Sequence, residues 1–396
     1  MHISARKRFL SLLSRSAFFA QRTLSTLSAA TAADYPNTMA LWVDKHRPKT
    51  LDALDHHKPL AANMKRMVAS GDFPHMLFYG PSGAGKKTRV MALLRQLHGP
   101  SVEKLKVEAR SFKFGSSSTT TDLTLVSSSH HVELNPSDAG IRDREVVSEL
   151  IKEIAQAAPI ITGGGASAAA PPFKVVVLNE VERLSKPAQH ALRRTMEKYT
   201  STCRLVLVCN NPCKVIAPIR SRCLCFRIAA PTHDEVASVL QSVANKEGLK
   251  LPSELALRIS TSCERNLRRS ILTLEACKVQ QYPFSETQHV QLPDWQLFIN
   301  AVADEVLQEQ SPKQLLKVRG KLYELLSNCI PADLIMRYLT VALLKKVPVP
   351  IRHQTVHFAA LFEARMQAGS KPIFHLEAFL ARFMSIIKQH STGGRR

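Results

Sequence analysis

Met76-Leu77-Phe78-Tyr79-Gly80-Pro81-Ser82-Gly83-Ala84-Gly85-Lys86-Lys87-Thr88 is the stretch on which the fold turns. The four apolar residues predict a buried strand and the glycines a tight loop. The run Thr88-Arg89-Val90-Met91-Ala92-Leu93-Leu94 predicts the helix that follows. Gly80 to Lys86 fits GxxxxGK, placed between strand and helix where its mechanism requires. Glycines let backbone N–H groups curl round phosphates, the helix N-terminus adds partial positive charge, and Lys86 neutralises phosphate oxygens. Gly80, Pro81, Ser82, Gly83, Ala84, Gly85, Lys86, Lys87 and Thr88 are therefore the expected nucleotide contacts, with ATP or ADP as the ligand.

One position departs from this pattern. The Ser or Thr that normally ligates Mg²⁺ is Lys87, with Thr88 one place later. A second buried strand, Phe173 to Leu178, shows a related loss. In Val175-Val176-Val177-Leu178-Asn179-Glu180-Val181-Glu182, Asn179 stands where a metal-organising Asp belongs, while Glu180 keeps the place of a water-activating carboxylate. A neutral amide organises a Mg²⁺ shell poorly. Thr88 and Glu180 remain as the candidate metal contacts, Mg²⁺ stays open, and the expectation is nucleotide binding with weak or absent hydrolysis.

Working outward, a third strand is expected from Arg204 to Cys209, with helical spacing over Pro187 to Tyr199 between the second and third. Continuous apolar runs alternating with helices predict an α/β fold, a doubly wound parallel sheet with helices on both faces. The Ser and Thr tract from Ser116 to Ser129 and the Gly and Ala stretch from Thr162 to Ala170 read as mobile surface insertions. After Arg227 no strand is expected. Residues 232 to 284 read as a small helical lid, and three or four amphipathic helices follow from about Asp294, among them Leu315 to Leu326 and Phe374 to Ile387. The expected domains are an extension over 1–38, a nucleotide-binding domain over 39–230, a helical lid over 231–288 and a helical C-terminal assembly domain over 289–396.

Composition adds a partner. With 54 Lys and Arg against 32 Asp and Glu in 396 residues, the formal charge is +22, which predicts a polyanion, nucleic acid ahead of a membrane surface. Residues 1–38 are rich in Arg and Ser and carry no acid before Asp34, the composition of an organellar transit peptide. Met39 is equally readable as the natural start, which would make that segment an upstream extension. The eight cysteines contain no CxxC pair, so neither a zinc site nor a disulfide framework is expected. No apolar run reaches the length of a membrane span.

Several motifs together carry a resemblance. These are Leu41-Trp42-Val43-Asp44-Lys45-His46-Arg47-Pro48, Gly80 to Thr88, Asn135-Pro136-Ser137-Asp138-Ala139-Gly140, Ala188-Gln189-His190-Ala191-Leu192-Arg193-Arg194-Thr195-Met196-Glu197-Lys198-Tyr199 and Ile219-Arg220-Ser221-Arg222-Cys223. The combination resembles the small subunits of eukaryotic replication factor C, clamp-loader ATPases of the AAA+ class, from about Leu41 to the end of the chain. The resemblance implies an AAA+ domain, a lid, and a helical collar in a heteropentamer that loads the sliding clamp PCNA onto primed DNA. It implies that Val43, Arg47 and Pro48 flank the adenine, that Glu180 is the catalytic-type glutamate, and that Asn210 senses the γ-phosphate. Arg268 would be the lid arginine, although Arg265 and Asn266 replace the usual Gly-Asp before it. Arg222 would be an arginine finger acting on the ATP of a neighbouring subunit.

The same resemblance implies contact with the DNA phosphate backbone. Arg89, Arg193 and Arg194, with Lys65 and Arg66, are the candidates, each also readable as helix surface charge or internal ion pairing. A chromosomal replication factor implies the nucleus, whereas a genuine transit peptide would imply a mitochondrion or plastid. Two other functions remain: a self-sufficient P-loop ATPase or helicase motor, and an assembly subunit whose nucleotide is purely structural.

Overall fold

The computed structural model describes residues 40–71, 73–113, 120–156 and 173–393 of the chain. They fall into two compact units that divide between Val290 and Gln291. The first unit is built on one seven-stranded sheet: β1 Met76–Tyr79, β2 Lys106–Lys113, β3 Thr120–Ser127, β4 His131–Leu134, β5 Lys174–Leu178, β6 Cys203–Cys209 and β7 Leu224–Arg227. The spatial order is β2-β3-β4-β5-β6-β1-β7. The strands from β4 to β7 in that order run parallel, while β2 and β3 pair antiparallel at one edge. Its helices in chain order are α1 Trp42–Lys45, α2 Lys58–Ala69, α3 Lys86–His98, α4 Asp143–Gln156, α5 Lys186–Lys198 and α6 Ala217–Arg220.

Strand alternation explains why the central runs are apolar throughout. Leu77, Val176, Leu178, Leu205 and Leu207 enter one core with Val147, Leu150 and Ile151 of α4 and Leu192 and Met196 of α5. Their neighbours Met76, Phe78, Val175, Val177, Val206 and Val208 enter a second core with Met64 of α2 and Val90, Leu93 and Leu94 of α3. A stretch covered on both faces favours apolar residues at successive positions, as over 76–78, 175–178 and 205–208. Helix starts follow their local signals. Ser185 caps α5 by accepting from the N–H of Ala188 at 3.2 Å.

Two expectations change here. The sheet is not wholly parallel, because Thr120–Ser127, read from composition as part of a surface insertion, is a strand paired with β2 and β4. The period-two placing of Leu123 and Leu125, both buried, outweighs the Ser and Thr content, and β-branched Thr suits the pleat. Residues 114–119 and the Thr162 to Ala170 stretch lie outside the described residues, as does the 1–38 extension.

The lid, still within the first unit, consists of α7 His233–Lys246, α8 Ser253–Ser262 and α9 Leu267–Gln280. A capping box opens α7, Thr232 and Glu235 each satisfying the other's backbone N–H. Val236, Leu240, Leu255, Ile259 and Leu274 form its core, and Trp42 of α1 is buried among them. The second unit is all helical: α10 Asp294–Gln308, α11 Pro312–Ser327, α12 Ala332–Lys346, α13 Val349–Ala368 and α14 Pro372–Gly393. Among the described residues it has five helices where three or four were expected. Leu376, Phe379, Leu380 and Phe383 recur at helical spacing and are all buried in its core.

Candidate functional site

A cleft of about 700 Å³ opens between the parallel sheet and the lid. Val43 of α1, with Arg47 and Pro48 just after it, lines one side. Ser82, Gly83, Gly85, Lys86, Lys87 and Thr88 form the floor, Asn179, Glu180 and Asn210 stand at the ends of β5 and β6, and Arg268 closes from α9. These residues span more than half the chain in sequence, and the parallel sheet brings them together at the carboxyl ends of its strands, where such folds bind ligands. Gly80, Pro81 and Ala84 belong to the loop backbone instead.

The glycines are required by close approach. A Cβ at Gly80 would lie 1.9 Å from the carbonyl oxygen of Ile228. At Gly83, where φ is +76°, a Cβ would lie 1.8 Å from Oδ1 of Asn266. Asn266 also caps α9, accepting from the N–H of Arg269 at 3.1 Å. The lid helix is therefore seated by its N-cap directly on the phosphate loop. The sequence carries a signal for this, an Asn placed immediately before a helix. The segment expected to flank the adenine is tied to the lid as well. Trp42 is inserted in the lid core, His46 Nε2 lies 2.5 Å from Glu247 Oε1, and Lys45 Nζ lies 2.7 Å from the same oxygen.

Lys86 is 8% exposed and folded back over its own loop. Its ammonium donates to the carbonyls of Gly80 and Pro81 and to Oδ1 of Asn210, each at 2.8 Å. Burial pushes its pKa down from the ordinary lysine value, and Glu182 opposes that shift. Glu182, which sequence reading did not single out, accepts from both the backbone N–H and the side-chain amide of Asn210, at 3.0 and 2.8 Å. The expected γ-phosphate sensor is thus oriented by a carboxylate two residues beyond Glu180. Glu180 lines the cleft with φ +52°, an uncommon conformation for a residue with a side chain, and pairs with Arg183 at 3.0 Å.

Lys87 forms an ion pair with Glu133 of β4, whose side chain is only 7% exposed. The side-chain amide of Asn179 donates to the same carboxylate oxygen at 2.7 Å. Mg²⁺ takes oxygen ligands in near-octahedral array. Here the two positions that would serve it hold an ammonium and an amide N–H, both committed to Glu133. Thr88 lines the cleft but sits one residue on, about 100° round the helix from position 87. These residues do not fit a Mg²⁺ ion. Glu133 was missed in the sequence because only the pairing of β4 with β5 places it beside residue 179.

Arg89, a candidate for DNA contact, is corrected. It is fully buried under the loop, donating to the carbonyl of His56 at 3.0 Å, and burial lowers its pKa to about 10. Its alternate position in the helix turns it to the core, so it is closed to a phosphate backbone. Arg193 and Arg194 are exposed on α5, and Arg193 lies 3.6 Å from Glu197. Lys65 pairs with Asp52, and Arg66 donates to Asn63 at 2.7 Å. Arg222 does not line the cleft. It donates to Glu197 through Nε at 2.7 Å and to the carbonyl of Pro218 through Nη1 at 2.8 Å. That hydrogen bond is the main cause holding the Glu197 carboxyl below its ordinary pKa.

Comparison with known proteins adds to this geometry. Residues 295–391 match the family model described as Replication factor C subunit 3, C-terminal domain. Residues 238–279 match the RCF1/5-like AAA+ ATPase lid domain, and residues 56–232 match DNA polymerase III, delta subunit. The chain is 52% identical to Replication factor C subunit 5 of Oryza sativa subsp. japonica, over 88% of this chain and 98% of that protein. It is 52% identical to Replication factor C subunit 3 of Arabidopsis thaliana over the same shares, and 49% identical to Replication factor C subunit 3 of Homo sapiens over 90% and 98%.

Proposed function

The chain belongs to the replication factor C family, and from that premise we propose a division of labour within the clamp loader: this subunit holds nucleotide and helps its neighbour turn ATP over. It is a clamp-loader subunit with an AAA+ nucleotide-binding fold and works in a complex with other replication factor C subunits. In this reading the complex is a heteropentamer that opens PCNA and places it on primer-template DNA in replication and repair, in the nucleus. The helices after Gln291 serve as its collar, residues 39–230 and 231–288 as nucleotide-binding and lid domains, and Arg193 and Arg194 meet the DNA backbone. ATP or ADP occupies the cleft, with Val43 to Pro48 at the base and Arg268 over the phosphates.

The observation that supports this reading is the cleft itself. Lys86, Asn210 and the loop glycines Gly83 and Gly85 line it, while Lys87 brings an ammonium in place of a metal-ligating oxygen and the Asn179 amide is turned with its N–H to Glu133. Hydrolysis of the transferred phosphoryl group needs that metal to neutralise charge. Arg222, outside the cleft and at the surface, is the group offered to the next subunit, with Glu180 left without a metal to work beside. A self-sufficient motor would need the missing ligands.

The test is to purify the full chain alone and measure ATP binding and turnover. Binding without turnover is expected, and robust turnover by the isolated chain would overturn the assembly-subunit reading. Localisation is read from a fluorescent fusion carrying residues 1–38, where nuclear or diffuse signal is expected and organellar import would reverse it.

A further inference from the structure

The Lys87–Glu133–Asn179 cluster is more than a lost metal site. A simple loss would leave a small residue or a gap. Here the position after the phosphate-loop lysine carries a full positive charge, and that charge is anchored. Glu133 is a buried carboxylate on a central strand, and it takes an ion pair from Lys87 and a hydrogen bond from Asn179 on one oxygen. A buried carboxylate left without such partners is strongly unfavourable, so the cluster holds itself together. The Lys87 side chain is still 43% exposed and lines the cleft, so its charge faces the ligand space.

The electrostatic consequence has a sign. A divalent cation entering beside an ammonium is repelled, and Glu133, the carboxylate beside that ammonium, is already shared by two donors. Of the two acids lining the cleft, Asp55 and Glu180, the latter is paired with Arg183. Phosphate oxygens, by contrast, meet Lys86 and Lys87 at adjacent positions of one helix N-terminus, which itself favours anions. Resting on the reading of this cleft as a nucleotide site, we propose that it holds its nucleotide without a divalent cation, the Lys87 ammonium, anchored by Glu133 and Asn179, standing in the metal's place.

The experiment measures affinity of the purified full chain for ATP by calorimetry in excess MgCl₂ and in EDTA. The dissociation constant is expected to agree between the two within about threefold, because the counter-charge is built in. A loss of about tenfold or more in EDTA overturns the proposal. Absence of binding in both media would instead remove the nucleotide reading, and this inference with it, so the two failures are distinguishable.

Lys87→Thr combined with Asn179→Asp rebuilds the oxygen set and is expected to create a metal requirement, with affinity in EDTA about tenfold or more below that in MgCl₂. A double variant that stays indifferent to EDTA would show that these residues do not exclude the metal. Lys87→Met, which removes the charge and restores no ligand, is expected to weaken ATP equally in both media by about fivefold or more. If Lys87→Met bound as tightly as the unaltered chain, the stand-in role would be lost, whatever the double variant's folding.

Discussion

The cations of the cleft and the arginine at the end of α6 live under opposite conditions. Lys86 is almost wholly buried, with three acceptors for its three protons. Arg222 is one third exposed and is held by Glu197, whose carboxylate stands open to solvent, and by a single backbone carbonyl. A buried donor is costly to leave unpaired, so the cleft is closed on itself and changes only when a ligand offers equivalent oxygens. An exposed ion pair is weak and screened, so Arg222 can exchange Glu197 for another anion at little cost. The cation of the cleft is held fast, whereas Arg222 can change its partner.

The largest way to break this contrast is at Arg222. Arg222→Ala in the reconstituted assembly is expected to lower turnover at the site it faces by roughly 10³-fold, the lower end of what an arginine finger contributes. ATP affinity of the altered chain itself should not change. Unchanged turnover in the assembly would show that the exposed arginine is surface charge alone.

Next in size is Lys86→Ala. It removes the central charge-assisted donor for phosphates and strands the Gly80 and Pro81 carbonyls and the Asn210 amide oxygen. Affinity for ATP should fall by about a hundredfold, equivalent to roughly 3 kcal/mol. A calorimetric titration showing less than a tenfold loss would mean that the folded-back lysine is a structural clasp. The lid sharpens the same region. Gly83→Ala places a methyl on the Asn266 side chain and forces a positive φ on alanine, so the cap of α9 must give way. A loss of about tenfold in ATP affinity is expected, read in the same titration, and Asn266→Gly in that background should recover part of it.

How much of this was legible in the sequence depends on distance along the chain. The loop from Gly80 to Thr88 and its flanking strand and helix are set by neighbours, and they appear where the apolar run and glycines put them. The double-sided burial of Val175 to Leu178 follows from an unbroken apolar run. Thr120–Ser127 was misread because its polar composition was weighed above its alternation, which Leu123 and Leu125 carry. Glu133 and Glu182 were missed for a different reason. Glu133 meets Asn179 through the pairing of β4 with β5 and Lys87 from the start of α3, each 46 residues away, and Glu182 reaches Asn210 across 28 residues. Arg89 shows the converse: an arginine in a basic chain reads as surface, while its helix phase, one residue before Val90 and four before Leu93, turns it under the loop into the core.

The smallest effect discriminates most finely between a held and an offered charge. Glu197→Gln keeps an amide oxygen for the Arg222 guanidinium but removes the counter-charge, and with it the exposed ion pair. If Glu197 only parks Arg222, turnover of the assembly should change by less than about threefold, because an exposed pair of this kind contributes little. The salt dependence is the sharper readout. If Arg222 serves a neighbouring phosphate, Glu197 competes with that phosphate in the unaltered chain, and added salt screens both interactions. In Glu197→Gln only the interaction with phosphate remains to be screened, so turnover should fall more steeply with ionic strength than before. A loss approaching that of Arg222→Ala would show instead that Glu197 is the group that aims the guanidinium, and the cleft and the arginine would then share one design, a charge fixed by its carboxylate.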